Sequence, residues 1–152
     1  MGPHPDEVNG LSIPEQRSIR QFPGMLDEHL ATRMGILFVE LSAERSVAVM
    51  PVEGNEQPFG LLHGGAYCVL GETLGSYSAN LHGGREAMAV GIDINATHTG
   101  AATGGWVTGT CTAIHLGRTM TVHEIVVTDE RGRRCSTVRI TNLLRPRPSE
   151  RA

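Results

Sequence analysis

Gln57-Pro58-Phe59-Gly60-Leu61-Leu62-His63-Gly64-Gly65-Ala66-Tyr67-Cys68-Val69-Leu70-Gly71-Glu72-Thr73-Leu74-Gly75-Ser76 is the stretch on which the reading of this chain turns. A Pro-Phe-Gly turn gives way to a doubled glycine, and the doubled glycine opens the one long helical pattern in the sequence. From His63 to about Leu81, Ala66, Val69, Leu70, Thr73, Leu74 and Tyr77 recur at spacings of three and four with few charges between them, so this helix is expected to be largely buried. An acid, Glu72, stands in the middle of it. Backbone N–H donors at a helix start and a carboxylate on the same helix are the parts that acyl-transfer chemistry needs.

Outward from the helix the period changes. Residues 24–34 read as a short amphipathic helix, with Met25, Leu26, Leu30 and Met34 at helical spacing. Residues 35–41 and 45–51 read as a strand pair around Ser42-Ala43-Glu44, followed by a polar loop over 52–60. Downstream, residues 88–97, 105–115, 119–129 and 133–144 are β-branched segments separated by turn signals such as Glu130-Arg131-Gly132. Two strands, a buried helix and four strands predict an α+β domain in which one antiparallel sheet wraps around a central helix. The domain is expected over 24–145. Residues 1–23, rich in Pro and polar residues, read as an N-terminal arm with at most a short helix near 13–20. Residues 146–152 read as a frayed tail, because the prolines from Pro146 onward cannot continue a strand.

At 152 residues the chain has the length of one domain with a sizeable core. The net charge of -3 argues against nucleic acid as a partner, which would call for a basic surface. All thirteen basic residues are arginine, which we attribute to the codon bias of a GC-rich genome. Cys68, Cys111 and Cys135 lie far apart without a CxxC pattern, which points to a reducing compartment and to small apolar core residues rather than a disulfide framework. The N-terminus lacks a basic start and an apolar core, and no apolar run reaches spanning length. A cytoplasmic protein without a membrane partner is expected.

Each candidate site residue has a plain reading beside the chemical one. Glycines at 64 and 65 suit any helix start where backbone must pack closely. Bare N–H groups in a first turn also bind a carbonyl oxygen as it gains negative charge. The sequence holds its own control, because Leu62-His63-Gly64-Gly65 recurs as Leu81-His82-Gly83-Gly84, where it reads as a glycine C-cap. The triplet is therefore unspecific, and context must decide. Glu72 stands among Val69, Leu70, Gly71, Thr73 and Leu74, where an unpaired charge is expensive and a retained carboxyl is a candidate functional group. Its plain alternative is an acid on a solvent-facing stripe or at a subunit contact. Ser76, one turn on, either orients a water or the acid or is a small residue in helix packing. His63 and Gln57 precede the helix, and a His in that place is either a structural hydrogen-bonder or a base. No Ser-His-Asp or Cys-His arrangement can be assembled, and Glu72 beside Cys68 disfavours a thiolate. His98, His115 and His123 lack metal-ligand spacing and no nucleotide fingerprint occurs, so no metal is expected.

QPFGLLHGGA, with VLGETLGS behind it and GIDINATH after it, resembles the hotdog-fold acyl-CoA thioesterases. It is most similar to their Glu branch, that of 4-hydroxybenzoyl-CoA thioesterase and 1,4-dihydroxy-2-naphthoyl-CoA hydrolase; the phenylacetate-pathway relatives usually carry Asp in place of Glu72. The resemblance runs from about residue 24 to 144 and leaves the arm outside. It implies a homo-oligomer, a dimer of dimers, with paired sheets and active sites at the dimer interface. Gly64 would donate its N–H to the thioester oxygen, with Gln57 and His63 placing the group. Glu72 of the partner subunit would attack the carbonyl or activate water, and Ser76 would orient the water or the acid. Gly65, His98, Arg118 and Thr119 would bind substrate. Coenzyme A would enter as part of the substrate, with no further cofactor. Relatives often place basic residues after the GIDINATH-like strand, but here the loop reads Thr99-Gly100-Ala101-Ala102-Thr103-Gly104-Gly105. The CoA phosphates are therefore assigned to Arg118, in the turn from His115 to Thr119, or to the arginines of the C-terminal tail.

The chemistry agrees with that arrangement. A thioester is already activated and CoA leaves readily as thiolate, so a carboxylate and a helix N-terminus suffice, each oxyanion donor contributing roughly 3–4 kcal/mol. The expected activity is hydrolysis of an acyl-CoA with a bias toward aromatic acyl groups. Two alternatives keep the fold: a module that binds acyl-CoA without cleaving it, which has no use for Glu72, and a dehydratase, which pairs a His with an acid in another arrangement.

Overall fold

The computed structural model describes residues 29–148. The expected arm, the first part of the helix expected over 24–34 and the last four residues of the tail lie outside that range. The elements are α1 (Leu30–Arg33), β1 (Leu37–Leu41), β2 (Arg45–Pro51), α2 (Gly64–Gly83), β3 (Ala87–His98), β4 (Trp106–Leu116), β5 (Met120–Thr128) and β6 (Arg134–Pro146). The strands form one sheet in the order β1-β2-β4-β5-β6-β3, and every neighbouring pair is antiparallel. The chain leaves β2, crosses the sheet as α2 and enters β3 at the opposite edge. This is the α+β hotdog architecture expected from the sequence.

Local chemistry explains the boundaries. His63 is extended (φ -62°, ψ 135°) and caps α2 by accepting the Gly65 N–H on its Nδ1. At the far end Gly84, with φ +65°, closes the helix while its N–H reaches the Asn80 carbonyl, so the second HGG triplet is a C-cap as expected. Between β5 and β6, the Asp129 carboxylate accepts the N–H groups of Arg131 and Arg133 at 3.0 and 2.9 Å, and Gly132 takes the left-handed conformation.

Strand alternation turns one face of the sheet toward α2. Ser46, Ala48 and Met50 of β2, Val107, Gly109 and Cys111 of β4, His123, Ile125 and Val127 of β5, and Val138 and Ile140 of β6 are all buried. Onto them α2 presents Ala66, Tyr67, Leu70, Gly71, Leu74, Gly75, Ser78 and Ala79. Glycine sets the depth of this packing. A Cβ on Gly71 would lie 2.6 Å from Val138, one on Gly75 would lie 2.2 Å from Ile140, and one on Gly109 would lie 2.8 Å from Leu74. The opposite face of β1 and β2 carries a second apolar cluster, Leu37, Val39, Val47 and Val49, with Trp106 against it.

Three expectations change. Val69, Thr73 and Tyr77 do not join the fully buried stripe of α2; with Cys68, Glu72 and Ser76 they form a second, half-buried face. Leu30, expected on the apolar face of the first helix, is exposed, and Ala31 is the buried residue of α1. β6 continues through Pro146 rather than stopping before it. The ladder bond beside Pro146 is made by Arg147 N–H to the Glu86 carbonyl, and β5 pairs with β6 no further than Leu143, so no partner needs the N–H that proline lacks.

Two outcomes follow from the packing. Gly75→Ala improves helix propensity but drives a methyl into Ile140, and we expect a net loss of about 1–3 kcal/mol of stability, read from the denaturant midpoint. His123 is fully buried, its Nε2 2.9 Å from the Ala43 carbonyl and its Nδ1 without a partner among the described residues. Burial is the largest cause holding its pKa below the ordinary 6.5, so the unfolded chain takes up the proton first. This contribution to stability is complete above about pH 6.5 and is lost as the pH falls toward the folded value. Melting temperatures measured from pH 7.5 to 5 should fall in that window, and His123→Gln should flatten the fall.

Candidate active site

The site begins at the first turn of α2. Because His63 Nδ1 takes the Gly65 N–H at 2.8 Å, that donor is engaged, and the adjacent Gly64 N–H is the one left open among the described residues. It sits where the helix dipole favours negative charge. His63 in this conformation is therefore a cap, with Nδ1 as acceptor and Nε2 directed away from the helix.

His98, the last residue of β3, comes to the same turn. Its Nε2 lies 3.0 Å from the position of a Cβ on Gly64, so any side chain there would press on the ring. Ser136, fully buried on β6, holds the ring with its Oγ 2.9 Å from Nδ1, and the Tyr67 ring lies 5.1 Å away, centroid to centroid. Burial, first, and the neighbouring Cys135 raise the Tyr67 hydroxyl to about 12, so it stays protonated.

Glu72 and Ser76 form a second group on the half-buried face of α2. Ser76 Oγ lies 3.2 Å from Glu72 Oε1 and 3.3 Å from Asn142 Oδ1 of β6. The carboxylate lies down over Gly91 of β3, where a Cβ would come within 2.6 Å of Oε1. Both residues line a cleft of about 540 Å³ whose other walls are His29, Leu30 and Ala31, the α2 residues Cys68, Val69, Thr73 and Tyr77, and Ile94 of β3. Burial raises the Cys68 pKa, so this neighbour of Glu72 is a thiol rather than a thiolate.

The two groups are not within reach of each other. Glu72 follows Gly64 by eight residues on one helix, a rise of about 12 Å, far beyond any hydrogen bond. Beside the cleft runs β3, paired among the described residues only with β6. It leaves Met88, Val90, Ile92 and Ile94 exposed along a free edge twelve residues long.

The remaining expected residues lie apart. Gln57 closes its own turn, its side-chain oxygen accepting the Phe59 N–H and its carbonyl accepting the Gly60 N–H. That leaves its side-chain NH2 for other partners. Arg118 and Thr119 occupy the β4–β5 turn, tied to the opposite end of α2 by His82 Nε2, 2.9 Å from the Gly117 carbonyl. His82 stands about 27 Å along the helix from Gly64, so one chain does not bring Arg118 and Thr119 to the open N–H. Among the described residues no three His, Cys, Asp or Glu side chains converge as a metal-ligand group.

Four residues in the neighbourhood were not read from the sequence. Asn55 fastens the loop before α2, its side chain donating to the Met34 and Pro51 carbonyls and its carbonyl accepting the His63 N–H. Ser136, Gly91 and Asn142 come from strands and reach the site only through sheet pairing. Ser136 and Asn142 carry a local signal, polar side chains at the two ends of the inward alternation that Val138 and Ile140 set.

Comparison with known proteins bears on what these parts belong to. A sequence profile of the Thioesterase superfamily matches residues 59–136. The proofreading thioesterase EntH of Klebsiella pneumoniae is 46% identical over 112 residues, covering 73% of this chain and 82% of that protein. EntH of Cronobacter sakazakii is 43% identical over 122 residues, covering 80% and 86%. Among solved structures, a mutant thioesterase from Pseudomonas aeruginosa matches with a TM-score of 0.76 at 36% identity, covering 84% of this chain and 97% of that one. A thioesterase from Haemophilus influenzae gives 0.80 at 29% identity, covering 93% and 96%. A profile that spans just over half of the sequence, close relatives over most of their length, and one shared fold carry the same conclusion: the chain belongs to the thioesterase superfamily and is a hotdog-fold thioester hydrolase.

Proposed function

We propose that the protein hydrolyses an acyl-CoA bearing an aromatic acyl group to the free acid and CoA, at sites that each take Gly64 from one subunit and Glu72 from another. The observation that carries this reading is the separation of about 12 Å between an open N–H and a carboxylate on one straight helix. A two-fold axis that runs two copies of α2 antiparallel sets each Gly64 level with the other copy's Glu72. The free apolar edge of β3 is the surface through which such a pair of sheets would join.

In this reading the thioester oxygen points at the Gly64 N–H, and the helix start stabilises the charge it gains in the tetrahedral intermediate. Glu72 either takes a proton from a water whose oxygen adds to the carbonyl carbon, or adds directly to form an anhydride that water then opens. In both routes the C–S bond breaks and CoA leaves as thiolate. Ser76 donates to the Glu72 carboxylate, while the outward Nε2 of His63, the free NH2 of Gln57 and the ring of His98 position the thioester. Gly65, its N–H held by the cap, serves by leaving room. The walls Val69, Tyr77 and Ile94 suit a flat apolar acyl group. Arg118 and Thr119 meet the CoA phosphates only from a different subunit than the one supplying Gly64. We assign the protein to the cytoplasm as a dimer of dimers, with no metal or cofactor beyond the CoA of its substrate and no nucleic-acid or membrane partner.

Free-thiol release from benzoyl-, dihydroxynaphthoyl- and fatty acyl-CoA is expected to be fastest on the aromatic members, and Glu72→Ala should lower kcat by about 10²- to 10⁴-fold with little change in KM. Full activity without the carboxylate, or tight binding with no thiol released, would overturn the reading. The two-subunit site has its own test. Gly64→Pro removes the N–H at a position whose backbone accepts proline, and its ring also presses on His98, so it disables the Gly64 half of the site as a whole. Refolded as an equal mixture with Glu72→Ala, it should regain about a quarter of wild-type activity, because half of the dimers then hold one intact site of two. If both groups came from one chain, the mixture would stay as inactive as its components.

A further inference from the structure

Asn142 has no place in the machinery described so far, yet its surroundings single it out. It is fully buried on β6 and polar in an apolar alternation, and its Nδ2 has no partner among the described residues. Its cross-strand neighbour on β3 is Gly91, the residue over which Glu72 lies, and its Oδ1 faces Ser76.

The hydrogen count at Ser76 does not close as the amide is placed. Ser76 Oγ lies 3.2 Å from Glu72 Oε1 and 3.3 Å from Asn142 Oδ1, and both of those atoms only accept. A hydroxyl has one proton, so one of the two contacts is unmade while a buried NH2 beside them goes without an acceptor. Turning the amide about its last torsion, which exchanges oxygen and nitrogen without changing its shape, resolves the mismatch. Nδ2 then donates to Ser76 Oγ, and the single Ser76 proton goes to Glu72. Thr121 of β5, in register with Asn142, carries a buried hydroxyl whose Oγ1 has no partner among the described residues, so the exchange also puts an acceptor in place of a donor in a neighbourhood that holds an unused hydroxyl.

We propose that Asn142 is a positioning residue for the hydrolysis, acting through Ser76. Its amide donates to the serine oxygen, so the serine proton is committed to the Glu72 carboxylate and that carboxylate is held in one orientation over Gly91. The effect belongs to kcat rather than KM, since Asn142 is sealed behind the helix and does not line the cleft. The proposal rests on the reading of Glu72 as the reacting carboxylate.

The test is a double-mutant cycle on the full chain with the best substrate of the acyl-CoA panel. Asn142→Leu keeps the size and removes the donor; it should lower kcat about tenfold with KM within twofold, as should Ser76→Ala. The double variant should be no slower than either single one, because a residue that acts only through Ser76 has nothing to hold once that hydroxyl is gone. Multiplying losses would show an independent packing role and overturn the proposal, as would unchanged kcat in Asn142→Leu. Should Asn142→Leu not fold, Asn142→Asp keeps the shape and offers only acceptors when ionised. On the alkaline plateau of kcat it should show the same loss, and wild-type turnover there would overturn the proposal. Full activity in Glu72→Ala would instead sink the reading of the site itself, so the two failures are distinguishable.

Discussion

Helix α2 touches β4 and β6 through glycine rather than through facing side chains. Gly71 meets Val138, Gly75 meets Ile140, and Gly109 of the sheet meets Leu74 of the helix, each at a distance that excludes a methyl group. Dispersion falls off so steeply that this close seating, held along three contacts, fixes the height of the helix to a fraction of an ångström. The chemistry inherits that height. Ser76 reaches a side chain on β6 because the helix backbone lies so low, and Glu72 settles onto β3 because Gly91 yields the space. A helix raised by one methyl would keep the fold while drawing Ser76 away from Asn142 and Glu72 away from Gly91.

The sequence displays this scaffold unevenly. The period of α2 and the β-branched runs after it predict the element order and most strand limits to within two residues, because both patterns are local. The glycines at 71 and 75 were visible only as interruptions in a helical stripe; their purpose depends on Val138 and Ile140, more than sixty positions away. The same limit explains the misplacement of Val69, Thr73 and Tyr77. Helical spacing reports that a face is apolar but not whether a sheet or a cleft lies against it. Proline at 146 misled for a related reason, since its missing donor matters only if a strand waits on that side.

Within the site, the residues around His63 were legible as a motif but not in their division of labour. His63 and Gly65 satisfy one another, and that local bond leaves the neighbouring N–H of Gly64 open. Nothing in the letters HGG distinguishes this copy from the one that ends the helix; position in the helix does. Glu72 was conspicuous because a carboxylate interrupts an apolar run. Gly91 beneath it and Asn142 beside Ser76 sit on β3 and β6, with β4 and β5 between them in the chain, and become neighbours only when β6 returns to pair with β3.

Under the two-subunit reading proposed above, the free edge of β3 would tie the protein's activity to its abundance. Twelve residues of backbone with Met88, Val90, Ile92 and Ile94 uncovered form a surface that water solvates poorly, and covering it draws on the same free energy as folding. If the edge is covered by a second copy, mass action enters the rate law: dilution removes sites as well as enzyme, and activity per chain falls with concentration rather than staying constant. A cell that lowers its supply of this chain would then lose turnover faster than it loses protein.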